Sequence, residues 1–185
     1  MDSFQQRKND VLSKSDKSSI GKLDKKILKL CKKINSLENY YTTSSCSGRI
    51  LVMQDKEKKA PNLFELISHN TIDYENFMKS LPKKFYNLNF KFKQEPLILH
   101  IMCKDLESAK KLLKSAQLSR WKRSGIIFAE KRIAVELLST EKLEFPLVYD
   151  GELLVNEKFL KIVLKKANEN LKRGWKKIQS LEKII

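Results

Sequence analysis

Ser44, Ser45, Cys46, Gly48 and Arg49 stand close together in the run Tyr40-Tyr41-Thr42-Thr43-Ser44-Ser45-Cys46-Ser47-Gly48-Arg49-Ile50. Five residues of the run carry small hydroxyls, and Arg49 is its only basic residue. Hydroxyls and backbone N–H groups so placed can converge on a polar or anionic ligand. A planar guanidinium can fork onto a carboxylate or phosphate. Ser44, Ser45 and Gly48 would let the backbone approach such an anion closely. Cys46 has no histidine near it in sequence, so a packing or binding role suits it better than a nucleophilic one. So many short polar side chains predict a tight, ordered loop between a helix and a strand. The alternative is a helix C-terminus followed by a Ser/Thr turn.

The elements that must hold this run follow from periodicity. Residues 1–19 are polar and predict a short helix with a mobile, turn-like connection at Ser15–Ser19. Ile20, Leu23, Ile27, Leu30, Cys31, Ile34 and Leu37 recur at helical spacing and give one apolar stripe. Lys25, Lys29 and Lys32 fall mostly off that stripe, as a solvated face or one that tracks phosphates. Beyond the run, strands are expected at Ile50–Met53, Leu63–Ser68 and Phe90–Lys93, and a short helix at Tyr74–Ser80. Leu97–Cys103 is nearly all apolar and reads as a central strand covered on both faces. His100 lies inside it, where a lone histidine is usually a hydrogen-bonded core residue. A helix over Asp105–Gln117 has Asp105 as N-cap. Ile126–Phe128 and Ile133–Leu137 predict a hairpin, Ser139–Gly151 a loop containing Pro146, and Asn156–Ile185 a long helix that Gly174 could kink. Helix, Ser-Gly and two strands occur in that order twice, which suggests two related α-β-β halves.

Together these elements predict a single compact α+β domain over residues 1–185. The formal net charge of +16 points to a polyanion, most often nucleic acid. Cys31, Cys46 and Cys103 are widely spaced and only two histidines exist, so neither a metal site nor a disulfide framework is expected. No apolar run approaches the roughly 20 residues that span a bilayer. The first ten residues lack the apolar stretch of a signal peptide, so a cytoplasmic protein is expected. No strand leads through a GxGxxG-like turn into a helix, which excludes the usual doubly wound Rossmann-type cofactor pocket.

The run Tyr40–Ile50 resembles the signature of the tRNA wybutosine-synthesising protein 3 family. Gly21-Lys22-Leu23-Asp24, Ile67-Ser68-His69, Glu95-Pro96-Leu97-Ile98-Leu99-His100-Ile101, Ser124-Gly125-Ile126 and Val135-Glu136-Leu137-Leu138-Ser139-Thr140-Glu141 are similar to further family motifs, in order and over almost the whole chain. The resemblance implies an S-adenosylmethionine-dependent methyltransferase. Its substrate would be N4 of the tricyclic guanosine derivative 3′ of the anticodon of hypomodified phenylalanine tRNA. A non-catalytic basic RNA-binding module is the alternative that charge and aromatics alone would support.

Under that resemblance the residues take roles. N4 loses a proton as it is alkylated, so a general base is useful. His69, at a strand end, is the first candidate; His100 and Glu136 are further ones. Arg49 would hold the cofactor carboxylate or the target phosphate, and Ser45, with Ser44, Cys46 and Gly48, would line the same site across a cleft from His69. Tyr40 and Tyr41 would stack on a splayed base, or else pack at the helix end. Phe64 stands where the family usually carries tryptophan and keeps the stacking surface without the indole N–H. Lys25, Lys29 and Lys32 would follow the tRNA backbone. Affinity for tRNA is then expected to fall steeply with salt, and neutralising these three lysines together should reduce the slope of log affinity against log salt. An unchanged slope would remove this helix face from the interface.

Overall fold

The computed structural model describes residues 3–14, 24–56, 63–129 and 132–185. In chain order its elements are α1 (Ser3–Leu12), α2 (Lys25–Ser36), β1 (Tyr40–Cys46), β2 (Arg49–Gln54), β3 (Phe64–Ser68), α3 (Tyr74–Ser80), β4 (Phe90–Glu95), β5 (Ile98–Cys103), α4 (Leu106–Leu118), β6 (Gly125–Ala129), β7 (Arg132–Leu138), β8 (Leu143–Tyr149), β9 (Glu152–Leu153) and α5 (Glu157–Ile184). The fold is α+β with two antiparallel sheets, of order β1-β5-β7-β6 and β3-β2-β4-β8-β9. Each sheet belongs to its own compact unit. The first unit takes Met1–Ser47, Leu97–Thr140 and Gly174–Ile185; the second takes Gly48–Pro96 and Glu141–Arg173.

In the first unit, α2 forms because Asp24 caps it, accepting from Lys26 N at 3.1 Å, and because Ile27, Leu30, Cys31 and Ile34 repeat on one side and are buried. They pack with Leu99, Ile101 and Cys103 of β5, Val135 and Leu137 of β7, Ala109, Leu112 and Ala116 of α4, and Ile178 and Leu181 of α5. Asp105 caps α4 through Ser108 N at 2.7 Å, as its sequence predicts. Burial raises the Cys31 thiol's pKa and pushes that of Cys103 up to about 12, so both are protonated core residues, in keeping with their place in the apolar pattern. Expectations that touch Ser15–Leu23, Pro61–Asn62 and Glu130–Lys131 lie outside the described residues.

Several expectations are corrected. The polar run is not a loop. Tyr40–Cys46 is a strand, and only Ser47 and Gly48 separate it from β2. It tolerates short hydroxyl side chains because it is the edge strand of its sheet, paired through β5 alone. At Thr42, Asn35 covers that edge, accepting from Thr42 N at 2.7 Å. Strand β5 is central, yet its burial alternates. Leu99, Ile101 and Cys103 are in the core, while Ile98, His100 and Met102 are half-buried on the other face, so the strand is not covered on both sides.

Residues 139–151 are not one loop. They contain β8, with Pro146 opposite Lys91 of β4. Strand β9 reaches only Val148 and Tyr149, so the missing proline N–H falls where no strand needs it. Asp150 and Gly151, with φ of 51° and 78°, make the tight β8–β9 turn.

The two α-β-β stretches are not equivalent. β6 pairs with β7, whereas β1 and β2 belong to different sheets. Helix α5 runs unbroken past Gly174. A Cβ there would stand 2.9 Å from Leu97 Cδ2, so the glycine gives room to Leu97 rather than a kink. No described helix is long and apolar enough to cross a membrane.

Candidate functional site

In the first unit, antiparallel register aligns four residues across four strands. Ser44 of β1 pairs with His100 of β5, His100 with Glu136 of β7, and Glu136 with Gly125 of β6. Cα partners in register point to the same face, and this is the face of β5 opposite the core. Here Ser44 Oγ lies 2.9 Å from His100 Nδ1, and His100 Nε2 lies 2.7 Å from Glu136 Oε2. A carboxylate only accepts, so Nε2–H donates to Glu136, and in the neutral imidazole Nδ1 accepts from the Ser44 hydroxyl. The imidazole and carboxylate are about one-third exposed, at 36% and 33%, and can meet a ligand. This hydroxyl–imidazole–carboxylate chain can take a proton at Ser44 and hold the resulting charge between His100 and Glu136. His100 is therefore no core histidine: the apolar run hides that every second side chain of β5 faces outward.

Near the end of the same edge strand, Ser45 and Cys46 are half-buried. Ser47, which closes the strand, is held by Asp24: the carboxylate that caps α2 accepts from Ser47 N at 3.0 Å and from its hydroxyl. Among the expected site residues Asp24 appears only as part of a motif. Its role in fixing the turn is not visible in sequence because the contact spans 23 positions.

Tyr40 and Tyr41 are corrected as stacking platforms. They are 9% and 4% exposed. The Tyr40 hydroxyl donates to Ser108 O at 3.0 Å, and Tyr41 packs on Phe4 with centroids 5.2 Å apart. Burial raises both phenol pKa values. Lys25, Lys29 and Lys32 are exposed on α2, with Lys29 Nζ 2.7 Å from Glu182 Oε1. Water around the exposed Lys29 end screens this attraction.

The second unit gathers a different set. Gly48 has φ of 89° and is buried, a backbone state that favours glycine. Its carbonyl lies 3.2 Å from His69 Nδ1, so Nδ1–H donates to it. Arg49 opens β2 opposite Glu95 of β4 and donates Nε–H to Glu95 Oε2 at 2.6 Å. Its guanidinium carbon is 5.9 Å from the centre of the Phe64 ring, which is 44% exposed. Arg49, His69, Gly48 and Phe64 thus come together, with Glu95 as an arginine partner that the sequence motif contained but did not identify. Behind Glu95 lies a buried amide pair. Gln94 donates to Glu95 O at 2.9 Å and accepts from Asn170 at 2.6 Å, while Arg173 donates to Asn170. Among the described residues no group of acidic, histidine and cysteine side chains could hold a metal ion.

The chain matches the family described as Methyltransferase TYW3 over residues 6–185. It is 39% identical over 158 residues to a Methanocaldococcus jannaschii protein, covering 83% of this chain and 81% of the relative. That protein is named tRNA(Phe) 7-((3-amino-3-carboxypropyl)-4-demethylwyosine(37)-N(4))-methyltransferase. A Danio rerio tRNA wybutosine-synthesizing protein 3 homolog is 35% identical, covering 100% of this chain and 75% of the relative. A solved Pyrococcus horikoshii structure shares the fold with a TM-score of 0.85 at 33% identity, covering 98% of this chain and 96% of that one. A hypothetical protein from Aeropyrum pernix gives 0.71 at 27% identity, over 88% and 99% of the two chains.

Replacing Asp24 by Ala removes both the helix cap and the anchor of Ser47. Stability should fall by about 1–2 kcal/mol in denaturant unfolding, and the Ser47 amide should exchange with solvent faster. Unchanged exchange at Ser47 would show that the turn holds without Asp24.

Proposed function

The chain belongs to the TYW3 methyltransferase family, and on that footing we propose that it methylates N4 of the tricyclic wyosine-type guanosine at position 37 of phenylalanine tRNA. The match over residues 6–185, which runs through both compact units, carries this reading, and we take the two units as parts of one enzyme.

Methyltransferases of this kind draw on S-adenosylmethionine, which supplies an electrophilic methyl group on a sulfonium cation. The first unit's residues fit such a group. On the face that carries His100, β1 offers a neutral hydroxyl and a thiol at Ser44 and Cys46, whereas Ser45, paired with Leu99, faces the core side beside Cys31. The charge beside them is the carboxylate of Glu136 behind His100. Neutral donors and acceptors next to a carboxylate suit a cation with a polar amino-acid end better than they suit an anion. Cys46 would hold it there.

Protein residues then have three tasks: to orient the base, to keep water out and to remove the N4 proton. The last falls to the relay. The Ser44 oxygen accepts the proton from N4 as its own passes to His100 Nδ1, and Glu136 stabilises the imidazolium through Nε2–H. His100 is taken as the acceptor because it has both a hydroxyl and a carboxylate within hydrogen-bond distance. Arg49, with Phe64 and His69 beside it, binds the tRNA: the guanidinium meets a phosphate and the exposed ring stacks on a neighbouring base. The net charge of +16 supports a polyanionic partner.

Mass spectrometry of the nucleoside after incubating the protein with S-adenosylmethionine and hypomodified tRNA should show the gain of one methyl group at the tricyclic base. No gain would reject the reading. Arg49→Lys keeps the charge but loses the planar fork. Methylation at limiting tRNA should fall roughly tenfold or more, as a charge-assisted hydrogen bond worth about 1.5–3 kcal/mol is lost, with little change in melting temperature. Wild-type activity would remove Arg49 from the tRNA site, and a collapsed melting temperature would make it structural.

A further inference from the structure

We propose that Arg7 of α1 and Arg132 of β7 form a two-guanidinium clamp for one backbone phosphate of the tRNA, and that α1 walls the site whose floor is the outer face of the first unit's sheet. The inference rests on the tRNA reading above. It gives a use to the N-terminal helix, which that reading leaves idle.

Register shows where α1 sits. Tyr41 of β1 pairs with Met102 of β5, and Met102 pairs with Ala134 of β7. Met102 and Ala134 are two residues from His100 and Glu136, so this second row shares the face of the relay. Tyr41 is 4% exposed, yet it stands outside the cluster that closes the inner face. The ring that packs on it is Phe4 of α1. Helix α1 therefore lies on the outer face, beside the relay. A second contact pins it. Lys8, one turn on from Phe4, is 6% exposed, and its Nζ donates to Leu37 O at 2.5 Å. A buried ammonium is costly unless it is matched, and here it meets a carbonyl at the negative end of α2. Phe4 and Lys8 together fix the turn that carries Arg7, which is itself exposed.

Arg132 reaches the same place from the sheet. It is two residues before Ala134 on β7, on the same face, and is exposed. Burial raises the Tyr41 phenol's pKa, and the positive charges of Arg132 and Arg7 both oppose that rise. Both guanidiniums thus stand near one phenol, one arriving from a helix and one from a strand. Among the described residues neither is paired with a carboxylate. Glu38, at this end of the sheet, lies 3.8 Å from Lys104 instead. Two cations gathered without an acid between them repel each other, and an anion placed there relieves the repulsion. A phosphodiester offers two free oxygens, on which guanidinium forks close well. The two rows are about 7 Å apart along the strands. A nucleotide splayed from its stack can lay its base over His100 and its phosphate over the second row.

The test is tRNA binding by the full chain over a salt series, without cofactor. Arg7→Gln and Arg132→Gln should each weaken binding about tenfold at low salt and reduce the slope of log affinity against log salt by about 1. Because both arginines face one phosphate, the double variant should lose little more slope than either single one. Lys110→Gln with Lys114→Gln, exposed on α4 behind the inner face, controls for charge alone and should weaken binding less than threefold. KM for S-adenosylmethionine should not change in the arginine variants. If Arg7→Gln loosens α1 and lowers the melting temperature, Arg132→Gln decides the matter. Unchanged affinity and slope in the folded variants would overturn the clamp, and so would an equal loss in the α4 control. A raised KM for S-adenosylmethionine with unchanged tRNA affinity would overturn it too, by giving the arginines to the cofactor's carboxylate. Wild-type methylation, scored separately, keeps the enzyme reading intact in all three cases. A wild type that binds no tRNA would overturn both.

Discussion

One carboxylate ties the end of β1 to the start of α2 in the first unit. Asp24 closes the first turn of α2 and at the same time accepts from the amide and hydroxyl of Ser47. Only Ser47 and Gly48 separate β1 from β2, and Gly48 takes a backbone state that most residues avoid. With Ser47 anchored, Ser44 stands opposite His100 in the register of the first unit's sheet. A slip of one residue would turn every side chain of β1 to the wrong face. Ser44 would then lose His100, and Tyr40 would leave the core.

The same logic explains the open side of the first unit's sheet. Its inner face is closed by α2, α4 and the end of α5 around Leu99, Ile101, Val135 and Leu137. The outer face carries His100 and Glu136, which are charged or polar, hydrogen-bonded to each other and partly exposed. A two-faced sheet of this kind separates the work. Apolar burial on one side holds the strands in register, and register on the other side places a hydroxyl, an imidazole and a carboxylate in line. The geometry of the proposed relay is thus a consequence of strand pairing, and no loop has to be ordered to create it.

Much of this was legible in the residues. The α2 stripe, the Asp105 cap, the short helix at Tyr74–Ser80, the β6–β7 hairpin and the long final helix all follow from local pattern, and the α+β class follows from their order. The failures share a cause. Ser- and Thr-rich Tyr40–Cys46 resembles a loop because local preference does not reveal that a strand lies at a sheet edge. Pro146 hides β8 for the same reason: proline is acceptable only where no partner strand needs its N–H. Leu97–Cys103 looks covered on both faces because Ile98 and Met102 are apolar yet face outward with His100. Of the functional residues, Arg49, His69, His100 and Glu136 carry chemistry that their types announce. Which of them touch was not legible, since Ser44 and His100 are 56 positions apart and His100 and Glu136 are 36 apart. Asp24 and Glu95, which hold the others, stand in the sequence only as members of motifs, with no sign of the distant partners they take.

The central claim is that the relay through His100 removes the N4 proton. It is tested most directly by the single-turnover rate of methyl transfer for His100→Ala, with tRNA and S-adenosylmethionine saturating, in the presence and absence of added imidazole. Loss of a positioned proton acceptor should slow the step by a factor on the order of a hundred or more, and imidazole should restore part of the rate. A wild-type rate without imidazole would contradict the account, and so would a slow rate that imidazole leaves unchanged in a variant that still binds tRNA and melts as the wild type does.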